Sequence, residues 1–380
     1  MKIIYLIAGT CHSGGMERVL ANKANWLVRN TPAQVMIVTT DQHGLRPFFN
    51  LDPRIRCTDL DIGYEDNNGG SFIDKLVHYP GKQRKHRRRL TAQLMAERAD
   101  VVVSMFCNDA SFLTKINDGS RKILEIHFSR YKRLQYGRGG LWAVADRLRS
   151  INDKRVARRF DRFVVLTGED RGYWEAGWPM PNICVIPNAR TFQPVAADAI
   201  NNNSHTVLAV GRYNVQKAFD RLIDIWALIQ DKPAAEGWTL RIVGDGELRQ
   251  ELQAQIDRLR LGGSIVLGGA EKDMRSVYQS AGIYAMTSLY EGLPMVLLEA
   301  QASGLPIVSM ACKCGPRDVV TDGVDGFLVP EGDTAAMADR LLTLMADDGL
   351  RAGMSAAALA ASDRFDEERV MCMWRELFKL

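Results

Sequence analysis

Two carboxylates, Glu291 and Glu299, bracket a mostly apolar stretch whose pattern could build a ligand site. A glycine and Pro294 stand near the front of this stretch, and residues 295–302 favour a helix. Proline fits the first turn of a helix because its missing N–H would have no partner there. The pattern therefore predicts a strand, a short turn and a helix that begins near Leu293.

The start of such a helix suits a phosphate because it offers free N–H groups and a partial positive charge. Glu291 is expected on the loop before the helix and Glu299 about two turns inside it. Neither carboxylate has a Lys or Arg within four residues. Both side chains are therefore expected to accept hydrogen bonds from a ligand that is rich in hydroxyl groups.

Two cations follow the strand predicted at residues 206–210, in the segment Gly211-Arg-Tyr-Asn-Val-Gln-Lys217. Parallel α/β folds bind ligands at the C-terminal ends of their strands. Arg212 offers a planar fork and Lys217 a point charge, and together they can neutralise a diphosphate. Solvated surface charges are the alternative. Gly246 lies in a Gly-Asp-Gly turn after the next strand, in the same topological position.

Two further candidates lie in the first half of the chain. Gly15 ends a glycine-rich turn between a predicted strand (1–8) and a predicted helix (16–29), where the backbone can approach a ligand closely. The turn lacks the spacing of a dinucleotide fingerprint, and an ordinary tight turn is its alternative. His127 follows the strand predicted at 122–126, and a purely structural histidine is the alternative there.

A regular alternation of secondary structure has to position these candidates. Buried strand patterns alternate with helical patterns of 10–15 residues, first before residue 190 and again after residue 205, which predicts βαβ units and two parallel sheets. The polar residues 190–205 are expected to form a linker, and residues 61–71 a flexible excursion. A helix is predicted at 73–98, with a possible break at Pro80.

Bulk properties agree with two domains, since 380 residues exceed one typical core. The net charge is +4, but residues 1–190 carry +12 and residues 191–380 carry −8, which indicates an anionic partner for one half.

The seven cysteines form no CxxC pair and no zinc pattern, so reduced thiols and no metal are expected. No signal peptide or long apolar stretch is found, which predicts a cytoplasmic protein with at most peripheral contact to the inner membrane.

Taken in chain order, these motifs resemble a retaining, nucleotide-sugar-dependent glycosyltransferase of family four. The resemblance covers almost the whole chain and is strongest over residues 209–333. It rests on Gly14-Gly15 before a helix, His127 after a strand, Val185-Ile-Pro-Asn188, Gly211-Arg212 with Lys217, Gly244-Asp-Gly246, Glu291 with Glu299, and residues 314–330. It implies the α/β GT-B fold, in which two Rossmann-like domains with parallel sheets face each other across a cleft. The implied segments are an acceptor domain (1–190), a nucleotide-sugar donor domain (191–362) and a final helix (363–380) that crosses back to the first domain.

The resemblance also assigns roles to the candidate residues. Glu291 faces the donor sugar, His127 lies near the sugar and the reaction centre, and Glu299 binds the nucleotide ribose. Arg212 and Lys217 stabilise the leaving diphosphate, so no metal or other cofactor is expected. The remaining donor contacts are backbone positions, namely Gly15, Gly246, Leu293, Pro294, Met295 and Val296.

The implied function is transfer of a hexosyl or N-acetylhexosaminyl group from a nucleotide sugar, UDP-linked, to a saccharide acceptor. A polyprenyl-diphosphate-linked glycan of surface polysaccharide synthesis is the expected acceptor. Front-face attack is the favoured mechanism, and a double displacement through Glu291 stays open. The chain departs from the family pattern at Ala218, where glycine is frequent. The alternative functions are an isomerase of the UDP-N-acetylglucosamine 2-epimerase type and a non-catalytic nucleotide-sugar-binding protein.

A basic helical stretch contains Lys82, Lys85, Arg88 and Arg89, and residues 130–162 are also rich in Arg and Lys. Such cations suit the headgroups of an anionic membrane surface or the diphosphate of a lipid-linked acceptor. A solvated helix face is the alternative. Nucleic acid is not an expected partner because no interleaved aromatic residues accompany the charges.

Overall fold

The structure is a computed structural model that describes residues 1–67, 72–132 and 141–380, with side chains described outside 67–77 and 133–145. It divides into two compact units. Unit 1 comprises Met1–Leu166, Arg171–Pro187 and Val370–Leu380, and unit 2 comprises Thr167–Asp170 and Asn188–Arg369.

Thirteen strands are found in the described part of the chain. They are β1 (Lys2–Ile7), β2 (Gln34–Thr39), β3 (Arg56–Asp59), β4 (Val101–Ser104), β5 (Arg121–Glu125), β6 (Arg162–Val165), β7 (Ile183–Val185), β8 (Thr206–Val210), β9 (Thr239–Val243), β10 (Ile265–Leu267), β11 (Ile283–Met286), β12 (Ile307–Met310) and β13 (Gly326–Val329). Central strands such as β4 are buried throughout, because helices cover both faces of a parallel sheet.

Twelve α-helices accompany these strands in the same described ranges. They are α1 (Gly15–Asn30), α2 (Phe72–Glu97), α3 (Leu141–Ala157), α4 (Gly168–Glu175), α5 (Phe219–Ile229), α6 (Arg249–Arg258), α7 (Met274–Gln279), α8 (Met295–Ala302), α9 (Pro316–Val319), α10 (Thr334–Ala346), α11 (Asp348–Ala361) and α12 (Glu367–Phe378). No helix of the described ranges has the length and apolar character needed to span a membrane.

Both sheets are parallel and doubly wound. The strand order is β3-β2-β1-β4-β5-β6-β7 in unit 1 and β10-β9-β8-β11-β12-β13 in unit 2. The chain winds outward in one direction from β1 and β8 and then returns to pair with the other side of the same strand. Ligands of such sheets bind at the strand ends where this reversal occurs. In unit 2 the reversal brings together the loops that follow β8 and β11.

The helix α5 shows how the sequence fixes this packing. Leu222, Trp226 and Ile229 recur at the spacing of one helical face and are buried in the core of unit 2. Burying one such side chain stabilises the fold by about 1.5 to 3 kcal/mol. The loop between β8 and α5, which carries the predicted cations, is therefore attached to rigid elements at both ends.

Two details of the predicted helices and loops differ from the structure. The predicted helix with a possible break at Pro80 continues through this residue, although proline cannot donate the helical hydrogen bond. The predicted excursion at 61–71 contains a 3-10 turn, Glu65–Asn67, and its residues 68–71 lie outside the described part of the chain.

Candidate active site

The loop after β8 adopts a fixed conformation that directs Lys217. The side chain of Asn214 accepts a hydrogen bond from the backbone N–H of Lys217 at 3.2 Å. The Thr287 hydroxyl, at the end of β11, donates to the carbonyl oxygens of Lys217 (3.1 Å) and Ala218 (2.9 Å). Ala218 has a left-handed backbone with φ of 47°, a conformation that disfavours residues with a Cβ atom and favours glycine.

Lys217 and Glu291 form an ion pair across the two loops. The distance between Lys217 Nζ and Glu291 Oε1 is 2.7 Å, and both side chains are largely buried. The Gln216 side chain donates to the carbonyl of Tyr290 at 2.9 Å and lies 3.5 Å from the other Glu291 oxygen. Neighbouring residues offer Glu291 no cation, and the sheet topology instead brings Lys217 to it from 74 positions away.

The backbone of Glu291 is also held in place. Its N–H donates to the carbonyl of Lys313 at 2.9 Å, and its carbonyl accepts from the N–H of Cys314 at 3.2 Å. Gly315 then packs so closely on Pro294 that a Cβ atom would come within 2.5 Å of it. The turn that carries Glu291 is thus fixed by the segment that follows β12.

Glu299 lies just over one turn inside α8, closer to the helix start than predicted. It is buried, and its oxygens accept hydrogen bonds from the Thr191 hydroxyl (2.7 Å) and the Tyr278 hydroxyl (2.8 Å). Two of its protein partners are thus hydroxyl groups, which are the kind of donor that the sequence predicted for this carboxylate.

The start of α8 carries the predicted backbone donors. The helix begins at Met295, two residues later than predicted, with Pro294 as the preceding cap residue and Leu293 before it. No described side chain caps this end. The N–H groups of Met295 and Val296 therefore lie in a first turn where the helix itself supplies no acceptor.

Gly246 has a packing role in the structure. A Cβ atom at this position would lie 2.5 Å from the carbonyl oxygen of Tyr213, and one at Gly244 would lie 1.9 Å from the carbonyl oxygen of Gly211. The backbone N–H of Tyr213 donates to the carbonyl of Asp245 at 2.9 Å. These glycines let the turn after β9 pack directly on the loop that carries Arg212.

In unit 1, Gly15 is the first residue of α1, and a Cβ atom there would meet no described atom within 4 Å. His127 follows β5, and its Nε2 lies 2.9 Å from Glu125 Oε1. Glu125 in turn pairs with Lys23 of α1. Glu125 and Lys23 were not among the predicted site residues, although Glu125 stands two positions before His127 in the sequence.

Three of the four predicted basic residues on α2 have local partners. Lys82 donates to the carbonyl of Gly63, Lys85 lies 3.6 Å from Asp61, and Arg89 lies 3.3 Å from the same carboxylate. Their face of the helix therefore holds the loop at 60–63. The solvent-exposed cations of the stretch are Arg84, Arg87 and Arg88.

No cluster of three or more His, Cys, Asp or Glu residues in the described ranges could hold a metal ion. The sequence did not point to Tyr278 or Thr191, because both reach Glu299 from elements distant in the chain. Gln216 lies inside the predicted cationic segment and could have been found there.

Comparisons with known proteins identify relatives of this chain. Residues 204–347 match the family model described as Glycosyl transferases group 1. The amylovoran biosynthesis glycosyltransferase AmsD of Erwinia amylovora is 35% identical over 222 residues, which are 57% of this chain and 62% of AmsD. A second relative, from Campylobacter jejuni, is 26% identical over 99% of this chain and 98% of its own length. It is the GalNAc-alpha-(1->4)-GalNAc-alpha-(1->3)-diNAcBac-PP-undecaprenol alpha-1,4-N-acetyl-D-galactosaminyltransferase.

A solved structure has the same fold over the full chain. It is a mutant of S. aureus TarM in complex with Fondaparinux, alpha-GlcNAc-glycerol and UDP, with a TM-score of 0.76, 16% identity and complete coverage of both chains. The prediction of two parallel-sheet, Rossmann-like domains of the GT-B type is confirmed. The relatives support a glycosyltransferase linked to polysaccharide synthesis, and they do not favour the epimerase alternative.

Proposed function

We propose that this chain is a retaining glycosyltransferase that moves a hexosyl or N-acetylhexosaminyl group from a UDP-sugar to a saccharide acceptor. The observation that carries the proposal is the 2.7 Å ion pair between Lys217 and Glu291, four residues before α8 begins. It joins a cation suited to a diphosphate to a carboxylate suited to sugar hydroxyls. A nucleotide sugar presents these two groups next to each other.

The donor would lie along the reversal point of the unit 2 sheet. Arg212, Lys217 and the first amides of α8 would hold the diphosphate, with Leu293 and Pro294 shaping the approach. Glu291 would accept hydrogen bonds from the sugar. Glu299 would accept from the ribose, and its present bonds to two protein hydroxyls support this assignment.

In the proposed reaction, the acceptor hydroxyl attacks the anomeric carbon from the side on which the diphosphate departs. A glycosidic bond forms as the bond to the phosphate oxygen breaks, and the proton passes from the acceptor hydroxyl to that oxygen. Lys217 and Arg212 stabilise the charge that develops on the diphosphate, without a metal. Glu291 orients the sugar, and we assign His127 to the sugar as well, on the strength of the resemblance.

The acceptor is proposed to be a glycan carried on a polyprenyl diphosphate, with unit 1 as its binding domain. The Campylobacter relative supports this choice, since its name specifies a lipid-linked glycan. UDP in the complex of the structural neighbour supports the nucleotide. Basic residues of unit 1 would meet the carrier or an anionic membrane surface.

Exposed Arg84 and Arg88 of α2 offer a test of membrane contact that spares the loop at 60–63. Replacing both with Gln is expected to weaken binding to vesicles with anionic lipids by about 2 kcal/mol, roughly 30-fold, at about 1 kcal/mol per cation. Sedimentation with anionic and with neutral vesicles measures this change. Equal binding of the variant and the wild type to anionic vesicles would contradict the assignment.

A donor screen tests the function itself. The chain is incubated with UDP- and GDP-sugars, with and without a polyprenyl-diphosphate-linked saccharide, and free nucleoside diphosphate and the elongated glycan are measured. The expected result is UDP release that rises on addition of the acceptor, with product of retained anomeric configuration. Epimerised UDP-sugar without a new glycosidic bond would instead identify an isomerase, and binding without turnover would identify a non-catalytic protein.

A further inference from the structure

We propose that Glu125, held by Lys23 beneath the ring of Trp374, fixes His127 as the tautomer with its proton on Nε2, which leaves Nδ1 to accept a hydrogen bond from the substrate. Glu125 is then a positioning residue and His127 the group that contacts substrate. The contact between His127 and substrate rests on the proposed function, whereas the tautomer of the His127 ring does not.

The cluster is anchored by a buried ion pair between α1 and the end of β5. Lys23 Nζ lies 2.5 Å from one Glu125 oxygen and 2.6 Å from the other, and the two side chains are 4% and 1% exposed. Burial acts to raise the pKa of Glu125, but the ammonium of Lys23 and the close polar contact with His127 outweigh burial and lower this pKa to about 2. Glu125 is therefore a carboxylate at neutral pH.

Two aromatic rings lie near the Lys23 ammonium. Lys23 Nζ lies 3.7 Å from the centroid of the Trp374 ring and 5.5 Å from that of Tyr5. A desolvated ammonium over an aromatic face is stabilised by the electrons of the ring. Trp374 belongs to α12, so the C-terminal helix supplies the nearer of these two rings.

The carboxylate then determines the state of His127. The Nε2 atom of His127 lies 2.9 Å from Glu125 Oε1, a close polar contact without the alignment of a linear hydrogen bond. An ionised carboxylate accepts hydrogen bonds and has no proton to donate. A bare nitrogen lone pair at this distance would be repelled, whereas an N–H is attracted. The proton of the neutral ring therefore lies on Nε2.

The consequence for the site concerns the other ring nitrogen. With Nε2 protonated, Nδ1 keeps its lone pair and can accept a hydrogen bond from a hydroxyl group of the donor sugar or the acceptor. Lys23 also prevents Glu125 from acting as an unbalanced negative charge next to the imidazole. The carboxylate thus contacts the Lys23 ammonium and the His127 ring at the same time.

Nitrogen NMR on the full-length chain tests the tautomer without any substrate. The six histidines are labelled with ¹⁵N, and the signals of His127 are identified by their loss in His127→Ala. We expect a proton on Nε2 that exchanges slowly with water. In the paired variant Lys23→Met/Glu125→Leu, which leaves no buried ammonium unpaired, this slow exchange is expected to disappear. A neutral wild-type ring with its proton on Nδ1 would overturn the proposal.

A matched control pair lies at the other end of the same strand. Lys122 and Asp118 are also a buried lysine and carboxylate of unit 1. In Lys122→Met/Asp118→Asn, the slow exchange at His127 is expected to remain. Its loss in both paired variants would show a general loosening of unit 1 and would overturn the specific role of Glu125.

Kinetics then separates positioning from a merely structural effect. The Lys23→Met/Glu125→Leu pair is expected to lower kcat/KM by roughly 10- to 100-fold, the range seen when carboxylates that orient metal-bound histidines are removed. In a His127→Ala background the same pair should cause no further loss. Equal losses in both backgrounds would overturn the proposal. The protein could instead be folded and carry the His127 proton on Nε2, yet transfer no sugar. That result would refute the proposed function and would leave the tautomer of His127 established.

Discussion

The ion pair between Lys217 and Glu291 leads to a prediction about UDP affinity that would not follow if the two side chains were unpaired. Glu291→Gln keeps the shape of the side chain and removes its charge. In the free protein the ammonium of Lys217 would then lose its ionic partner at 2.7 Å. Because UDP has the diphosphate but lacks the donor sugar, its binding is expected to gain from this change, while sugar transfer is expected to fall.

The magnitude follows from the contact that UDP has to replace. A hydrogen bond between charged groups contributes about 1.5 to 3 kcal/mol net, and the exposed fractions of 17% and 10% allow some screening by solvent. When the diphosphate of UDP binds Lys217, breaking the ion pair therefore weakens UDP binding by about 1 to 2 kcal/mol, which corresponds to roughly 5- to 30-fold in affinity. Glu291→Gln should tighten UDP binding by this factor.

Isothermal titration calorimetry with UDP measures the effect in the wild type, Glu291→Gln, Lys217→Met and the double variant. The gain from Glu291→Gln should vanish in the Lys217→Met background, because it acts through the lysine. Glu236→Gln, an exposed glutamate of unit 2, serves as the charge control and should leave affinity unchanged. Weaker UDP binding in Glu291→Gln would refute the reasoning, since Glu291 would then assist the nucleotide.

Three other expectations concern the site and its supports. Glu299→Gln should weaken UDP binding by about 2 kcal/mol, roughly 30-fold, through lost bonds to the ribose, and unchanged calorimetric affinity would contradict this role. Ala218→Gly should raise the free energy of unfolding by about 1 kcal/mol in urea, since it removes left-handed strain, whereas Ala338→Gly, in the interior of α10, should lower it by a similar amount. Burial opposes the low pKa of Glu125, but its basic neighbours set it at about 2 against the ordinary 4.5. The unfolded chain therefore binds protons first as pH falls, and stability should be lost between about pH 4.5 and 2. Lys23→Met/Glu125→Leu should flatten that dependence, and parallel curves of stability against pH would contradict it.

Much of the fold could be predicted because buried parallel strands have a strong sequence pattern. The apolar run that became β1 (Lys2–Ile7) and the repeated alternation after residue 205 both predicted the correct architecture. Weak patterns were missed. The edge strand β3 is short and largely exposed, and β13 includes a glycine, so neither shows the continuous apolar run of a central strand.

The candidate site residues were assigned from their places in the sequence, whereas the contacts between their side chains could not be predicted from it. Arg212, Lys217 and Glu291 were assigned from their places after strands, and topology alone puts such residues at one edge of a sheet. The ion pair of Glu291 and the hydroxyl partners of Glu299 could not be predicted from neighbouring residues. They depend on side chains brought together by strand order, which local spacing does not encode.

The ion pair between Lys217 and Glu291 also sets a free-energy cost that any ligand binding to Lys217 has to offset. Inorganic phosphate and nucleoside monophosphates would compete for any lysine that stood unpaired in an open site. A ligand with a single phosphate makes few contacts to offset the separation of the pair, whereas a nucleotide sugar compensates both partners, the lysine with phosphate oxygens and the glutamate with hydroxyls. We therefore expect the free site to bind inorganic phosphate only weakly, at concentrations that would saturate an exposed lysine. The site should in this way discriminate a nucleotide sugar from inorganic phosphate and nucleoside monophosphates.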